Sequence, residues 1–147
     1  MWTPNEMNKA SALIEVTIYV WGDTLDPVAI SSHLGLEPSF SRRKGEKRIT
    51  KTRREITAKT SLWTLTAETE AEALSNHIQE LASKVDNRIA QITGVTGVEG
   101  AYIDIFVGVR ADKDGGGKYE FRLSEQDIQV LHKIGLPIEF TLDVVKD

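Results

Sequence analysis

At 147 residues, of which 40% are hydrophobic and 27% charged, the chain is large enough for one globular domain with its own core and too short for two. The absence of cysteine excludes disulfides, thiolate metal sites and thiol nucleophiles, which is compatible with a reducing cytoplasm. The longest apolar runs are too short to span a membrane and the first residues lack the order of a signal peptide, so we expect a cytoplasmic protein without a membrane partner.

The charges, which sum to −4, are distributed unevenly along the chain. Residues 42–59 contain nine of the 18 basic residues and two acids, a net charge of +7, which leaves −11 on the rest of the chain. Such a charge dipole favours contact between the basic segment and either an anion or an acidic surface.

The first part of the chain predicts a tail, a strand and a short helix. Residues 1–10 are polar and aperiodic, which indicates a flexible tail before a single domain over residues 11–147. Residues 13–21 alternate between apolar and polar side chains, which is the pattern of a half-buried strand. A helix then begins after Asp26, an N-cap residue followed by Pro27, and ends at Gly35.

The middle of the chain predicts a basic loop, a strand and a long helix. Residues 39–60 are rich in Ser, Thr, Lys and Arg and indicate a long loop or a weak hairpin, and residues 61–66 resume strand character. Thr69 and Glu72 have the spacing of a capping box. Apolar residues then recur every three or four positions, which predicts a helix over residues 70–93 that Gly94 ends.

The last part of the chain predicts a hairpin, a third helix and a final strand. Residues 101–109 and 119–123 alternate on either side of a Gly-rich turn, and Ser124 with Asp127 caps the helix that follows. The final strand is expected to place four apolar side chains in the core: Ile138, Phe140, Leu142 and Val144.

The predicted order of elements is strand, helix, strand, helix, strand, strand, helix, strand (βαβαββαβ). Two strand-helix units, the second repeating Leu34-Gly35-Leu36 as Ile134-Gly135-Leu136, favour an α+β sandwich with a mostly antiparallel sheet, of the split β-α-β (ferredoxin-like) type. Each strand has only one continuous apolar face, so we expect the helices on one face of the sheet and an open opposite face. That open face is predicted to be acidic and aromatic, with Glu15, Thr17, Tyr19, Trp21, Tyr102, Asp104, Phe106, Glu120, Arg122, Glu139, Thr141 and Asp143.

A series of short motifs extends over most of the chain. The series comprises Asp26-Pro27 and Ile30 after the first strand, Leu34-Gly35-Leu36 with Pro38, Lys44-Gly45, Ser61-Leu62-Trp63 and the closing Ile134-Gly135-Leu136. In this order, with a long helix before the last motif, the chain resembles the uncharacterised bacterial family named domain of unknown function 4279. The resemblance implies no catalytic residues and no known activity.

The residue types that carry common catalytic chemistry do not have the required spacing. His33, His77 and His132 lie on different predicted helices, and none has a second ligand three or four residues away, so no metal site is predicted. The run that begins at Asp112 lacks the closing Glu of a calcium loop, since Leu123 takes that position. No serine lies in a nucleophile elbow. We therefore expect a protein that is not an enzyme, with no catalytic residue and no cofactor.

Two surfaces are candidates for binding. The main hypothesis is a protein interaction through the open face, in the manner of an immunity or adaptor protein or of a homodimer, at Tyr19, Trp21, Tyr102, Asp104 and Phe106. The alternative is nucleic-acid or anion binding through residues 42–59, at Arg42, Arg43, Lys44, Lys47, Arg48, Arg53 and Arg54. The acids on the open face disfavour nucleic acid as a partner, and a solvated loop would equally account for the basic segment.

Overall fold

The computed structural model describes residues 12–145, so the predicted tail, residues 1–10, lies outside the described residues. Within the described range the chain forms seven β-strands, three α-helices and one 3-10 helix. In chain order these are β1 Ala12–Gly22, α1 Pro27–Leu34, β2 Phe40–Arg42, β3 Lys47–Ile49, β4 Glu55–Thr57, β5 Ser61–Thr66, α2 Leu74–Val85, the 3-10 helix Arg88–Gly94, β6 Gly100–Arg110, α3 Glu125–Ile134 and β7 Ile138–Val145.

Five strands form one sheet in the order β2-β5-β1-β6-β7, and β3 with β4 forms a separate hairpin. The central strand β1 is antiparallel to both β5 and β6, whereas β7 runs parallel to β6. The predicted α+β class with a mostly antiparallel sheet is therefore confirmed. The predicted βαβαββαβ order is not, because three short strands lie between α1 and β5.

The expected returning strand over residues 119–123 is not formed. Its alternation of apolar residues is real, since Tyr119 and Leu123 pack against the core as partly buried side chains. However, β6 already pairs with β1 on one edge and with β7 on the other, so a hairpin partner would find no free backbone groups. The segment instead leads from the Gly-rich turn into α3.

The core lies between the sheet and a single layer of helices. The alternate residues Ile14, Val16, Ile18 and Val20 of β1 are buried, as the pattern of residues 13–21 predicts. Trp63 of β5 is fully buried beside them, and its indole Nε1 donates to Ser31 Oγ of α1 at 3.0 Å. The helices therefore cover the face of the sheet that carries the apolar alternation.

Both predicted ends of α1 are confirmed. The Asp26 carboxylate accepts from the Val28 backbone N–H at 3.1 Å, with Pro27 in the first turn. Gly35 ends the helix with a φ of 65°, a left-handed conformation that glycine adopts without strain. Both ends of the helix that connects β1 to β2 are thus fixed by residues that the sequence alone identifies.

The predicted helix over residues 70–93 is divided into two. Its first turn is absent: α2 begins at Leu74 with Ala73 as its N-cap and no side-chain cap, so the capping box predicted at Thr69 and Glu72 is wrong. The Glu80 carboxylate instead accepts from the backbone N–H groups of Glu68 and Thr69, at 2.6 and 3.0 Å. The helix α2 then ends at Asp86, which has a φ of 50°. The buried apolar residues continue across the break as Ile89 and Ile92 of the 3-10 helix, so their spacing does not reveal it.

The helix α3 is tied to α2 through a buried carboxylate. Asp127 completes the predicted capping box with Ser124 and also accepts from Ser75 Oγ of α2 at 2.6 Å. Burial opposes the charged form of Asp127, but the hydrogen bonds from Ser75, Ser124 and Gln79 outweigh it and lower the pKa of this carboxyl below its ordinary value. The main contacts of α3 are accordingly with α2 and the 3-10 helix.

The prediction that Ile138, Phe140, Leu142 and Val144 lie in the core is wrong. Their exposed fractions are 37, 49, 64 and 67%. They do lie on the helix side of the sheet, because they pair in register with Ile103, Ile105, Val107 and Val109 of β6. β7 is an edge strand, however, and α3 is held over α2 rather than over β7.

The buried side of α2 should be a centre of stability. Leu81 is 1% exposed, and its truncation would leave a cavity between α2 and the sheet. We expect Leu81→Ala to lower the free energy of unfolding by about 2–5 kcal/mol in a urea titration. The exposed neighbour Ser83 is the control, since Ser83→Ala should leave the midpoint nearly unchanged; equal midpoints for the two variants would contradict this packing.

Candidate functional site

The face of the sheet opposite the helices, which we call the open face, is not covered by any helix of the described residues. It carries the predicted side chains of β1, β6 and β7, together with neighbours that only the strand register assigns to it: Leu13, Phe40, Arg42, Leu62, Thr64 and Thr66. The predicted assignment of Glu120 and Arg122 to this face is wrong, because it depended on a strand over residues 119–123 that is not formed.

Two tyrosines form the centre of the open face. Tyr19 of β1 and Tyr102 of β6 are directly paired across the strands, and their rings stack with centroids 5.0 Å apart and planes inclined by 11°. Both side chains are half-buried by their neighbours on the sheet. Stacked rings held by two paired strands form a rigid platform that loses little conformational entropy on binding.

Glycines on β6 provide space for the two other aromatic residues. Trp21 is paired with Gly100, where a Cβ would lie 2.6 Å from the indole Nε1, so the indole occupies the volume of the missing side chain. Phe106 lies against Gly108, where a Cβ would come within 3.0 Å of the ring. Trp21 nevertheless keeps 37% of its surface exposed. The aromatic rings therefore lie flat along the sheet and remain accessible from solvent.

The carboxylates of the open face lie among these rings. Asp104 accepts from Thr141 Oγ1 of β7 at 2.7 Å, and Glu139 is its direct neighbour in the parallel pair. Glu15 is paired with Phe106 on the other side. The predicted association of Tyr19, Trp21, Tyr102, Asp104 and Phe106 on one surface thus agrees with the register of the strands.

The tyrosine hydroxyls are held in their protonated form. Burial, followed by the negative charges of Asp104 and Glu15, raises the pKa of Tyr19 above its ordinary value. Burial and the charges of Glu139 and Asp104, with Tyr19 beside them, raise the pKa of Tyr102 in the same way. At neutral pH both hydroxyls are therefore available as hydrogen-bond donors as well as acceptors.

The basic segment, residues 42–59, is a hairpin anchored at its base. Arg43 binds Asp26 at 2.7 Å and Lys44 binds Asp23 at 3.1 Å, both on the loop between β1 and α1. Lys44 also donates its backbone N–H to Ser61 Oγ at 2.9 Å. The sequence allowed a long loop or a weak hairpin, and the hairpin is observed. Two of the seven candidate cations, Arg43 and Lys44, hold it against the loop between β1 and α1.

The remaining candidate cations divide between a cleft and the tip of the hairpin. A cleft of about 120 Å³ separates β2 from the hairpin and is lined by Phe40, Ser41, Arg42, Glu46, Lys47, Arg48, Ile56 and Ala58. The Nε of Arg42 is buried there and has no hydrogen-bond partner among residues 12–145. Arg53, with a φ of 60°, and Arg54 lie in the turn between β3 and β4, away from the cleft.

The cleft was not predicted from the sequence. Phe40 and Arg42 are brought to it because β2 pairs with β5 at Thr64 and Leu62, and these paired residues lie 24 and 20 positions apart in the sequence. The only local signal was the isolated apolar residues Phe40 and Ile56 in a segment otherwise rich in charge. Strand pairing of such short segments leaves no readable periodicity.

The described part of the chain shows no cluster of three or more His, Asp or Glu side chains that could hold a metal ion. His77 is buried, and its Nε2 lies 2.8 Å from the carbonyl oxygen of Ala71. Among residues 12–145, no helix is long and apolar enough to cross a membrane.

Comparison with known proteins places the chain in a family. The profile of the family described as "Domain of unknown function (DUF4279)" matches residues 11–145, and the chain belongs to this family, as the short motifs indicated. No curated protein and no solved structure matches the chain significantly.

The charge environment of the tyrosine pair can be measured by titration. Asp104→Asn removes a negative charge that disfavours the phenolate, so it should lower the pKa of Tyr19 toward its ordinary value of 10.0 in an absorbance titration of the phenolate. Burial would still hold the pKa above that value. Glu125→Gln on α3 is the matched control and should leave the titration unchanged; an identical curve for Asp104→Asn would show that the carboxylate does not act on the ring.

Proposed function

We propose that this member of the DUF4279 family is a non-catalytic binding module that recognises a protein partner through its open face. The observation that supports this most is the Tyr19–Tyr102 stack beside the accessible indole of Trp21, on a sheet face that no helix of residues 12–145 covers. Tyr and Trp are the residues that most often dominate the energy of protein interfaces, and here they are fixed by the strands before any partner arrives.

The chemistry of the open face favours a partner that presents Arg or Lys. A guanidinium or ammonium group can lie on the stacked rings of Tyr19 and Tyr102, while the carboxylates of Asp104, Glu15 and Glu139 are close enough to pair with it. The protonated hydroxyls of the two tyrosines can donate to backbone carbonyls of the same partner. An acidic and aromatic surface of this kind repels nucleic-acid phosphates, so a basic protein is the better match.

A binding role also agrees better than catalysis with the shape of the open face. The carboxylates and hydroxyls lie on a sheet surface, whereas acid-base or nucleophilic catalysis requires a site that excludes water around perturbed groups. We therefore propose an immunity-like or adaptor-like protein of the cytoplasm. The absence of cysteine is compatible with this reducing compartment.

The cleft beside β2 supports a second candidate function, the binding of an anion or of a nucleic-acid backbone. The cleft is lined by the apolar side chains of Phe40 and Ile56 and by the cations Lys47 and Arg48. Arg42 also lines the cleft, and its guanidinium can donate to a negatively charged acceptor. A phosphate or carboxylate oxygen is such an acceptor.

The open-face proposal predicts a selective loss of binding in Trp21→Glu. The variant should keep its fold, because the indole lies on the surface, and it should weaken partner binding by about 1–3 kcal/mol. Quantitative capture from host lysate, followed by titration with the purified partner, measures the loss.

Val28→Glu is the matched control for Trp21→Glu. Val28 is 64% exposed on α1, on the other side of the sheet, so the same charge there should leave capture intact. Partners that bind Trp21→Glu and the parent chain equally would contradict the proposal. An unfolded Trp21→Glu variant would place Trp21 in the core and contradict it as well.

The second candidate predicts a steep dependence of binding on salt. For a single-stranded RNA oligonucleotide held in the cleft, the logarithm of the binding constant should fall linearly with the logarithm of the salt concentration. Arg48→Ser should reduce the magnitude of this slope by about one unit. Lys51→Ser, in the hairpin turn outside the cleft, is the control and should change the slope less. Equal slopes for the parent and both variants would exclude the cleft as a nucleic-acid site.

A further inference from the structure

A second surface of the molecule is apolar, exposed and separate from the open face. It consists of Ile138, Phe140, Leu142 and Val144, which we call the β7 strip, on the helix side of the edge strand β7. Their exposed fractions rise from 37% at Ile138 to 67% at Val144. Four large apolar side chains in one row are more than the scattered exposed residues of a typical surface.

Aromatic residues extend the β7 strip toward α3. The ring of Phe121, itself 37% exposed, lies with its centroid 6.3 Å from that of Phe140. On its other side it stacks with Tyr119 at 6.4 Å. The bond between Ser75 and Asp127 keeps α3 on the α2 side of this row, so no helix of residues 12–145 covers the strip.

No strand among residues 12–145 pairs with the outer edge of β7. The Ile103 N–H donates to the carbonyl oxygen of Pro137 at 2.8 Å, so this carbonyl points toward β6. Because backbone direction alternates along a strand, the backbone groups of Glu139, Thr141 and Asp143 also point toward β6. The N–H and C=O groups of the strip residues therefore point to the free edge.

This edge has little of the usual protection against pairing, since its only charged residues, Glu139 and Asp143, lie on the open face. Residues 138–145 include no proline and no lysine, and the pairing with β6 continues over the whole length of β7 without a bulge. An eight-residue strand with a free edge and an apolar side is a template for another strand.

We propose that a second copy of this chain occupies the edge, so that two β7 strands pair antiparallel and join two five-stranded sheets into one. The two-fold axis then runs perpendicular to the sheet and passes beside Leu142, which faces Leu142 of the other copy. Phe140 of each copy lies opposite Val144 of the other, so that each β7 strip covers the flank of its counterpart. All of these residues have their backbone groups on the free edge, as hydrogen-bonded antiparallel pairs require.

Electrostatics selects this register over its nearest rival. A register centred on Thr141 would place Glu139 of each copy directly opposite Asp143 of the other, and like charges at directly opposite positions destabilise a strand pair. The register centred on Leu142 instead places Thr141 opposite Asp143 and Glu139 opposite Val145. The sequence of β7 is therefore complementary to itself in one alignment, which is what a symmetric interface requires.

The oligomeric state of the full chain tests the proposal. Sedimentation should show a dimer for the parent chain, and Leu142→Lys should weaken its association by about tenfold or more, because the charge would lie at the two-fold axis. Val28→Lys is the matched control, since Val28 and Leu142 are both 64% exposed, and this variant should remain dimeric. A monomeric parent chain, or a dimer that Leu142→Lys leaves intact, would overturn the proposal.

A cross-linking experiment tests the register and does not depend on the lysine variant. The chain contains no cysteine, so Leu142→Cys introduces a single thiol that lies about 5.5 Å from its counterpart between Cα atoms, close enough for a short bis-maleimide to join the two. The bis-maleimide should give a covalent dimer for Leu142→Cys and none for Val28→Cys. Absence of the Leu142→Cys dimer would overturn the proposed register.

Discussion

The fold depends on the pairing of β1 along both of its edges. Because β6 pairs with residues 12–21 of β1 and β5 pairs with residues 17–22, its side chains must divide between the two faces of the sheet with a period of two. Val16, Ile18 and Val20 are therefore buried in the core beneath the helices. The same alternation requires Tyr19 and Trp21 to lie on the opposite face, so one strand sets the core and the candidate interface together.

The helix layer is narrower than the sheet, and this difference creates the second exposed surface. Burial of Asp127 between Ser124 and Ser75 fixes α3 beside α2, which leaves the edge strand β7 beyond the helices. A carboxylate buried with good hydrogen bonds is costly to displace, because any shift of α3 would leave it unpaired. The exposure of Leu142 and Val144 is thus a consequence of a polar contact formed elsewhere in the fold.

Most features determined within a few residues were predicted correctly from the sequence, although the capping box expected at Thr69 and Glu72 is not formed. The caps at Asp26 and Gly35, the capping box at Ser124 and the alternation of β1 each follow from local backbone and side-chain chemistry. The members of the open face at Tyr19, Trp21 and Tyr102 follow from the same alternation. For these elements the tertiary structure confirms what the local pattern requires.

The errors concern choices between distant partners. Residues 119–123 have the alternation of a strand, but both edges of β6 are occupied, by β1 and by β7. The apolar pattern of β7 is that of a core strand, yet apolar residues are selected equally by a core and by an interface, so the pattern does not separate them. The break at Asp86 is hidden because a buried 3-10 helix continues the apolar spacing of α2.

The two proposed surfaces would act together through symmetry. A two-fold axis perpendicular to the sheet keeps the open face of each copy on the same side of the joined sheet, since rotation about that axis does not exchange the faces. Glu139 and Asp143 of both copies then lie along the seam, and the acidic character of the open face continues across it. A partner with two basic segments, or two linked partners, could bind both copies at once, which raises the effective concentration at the second site without any new contact. Pairing at β7 would therefore strengthen recognition at Tyr19, Trp21 and Tyr102, although none of these residues touches the β7 edge.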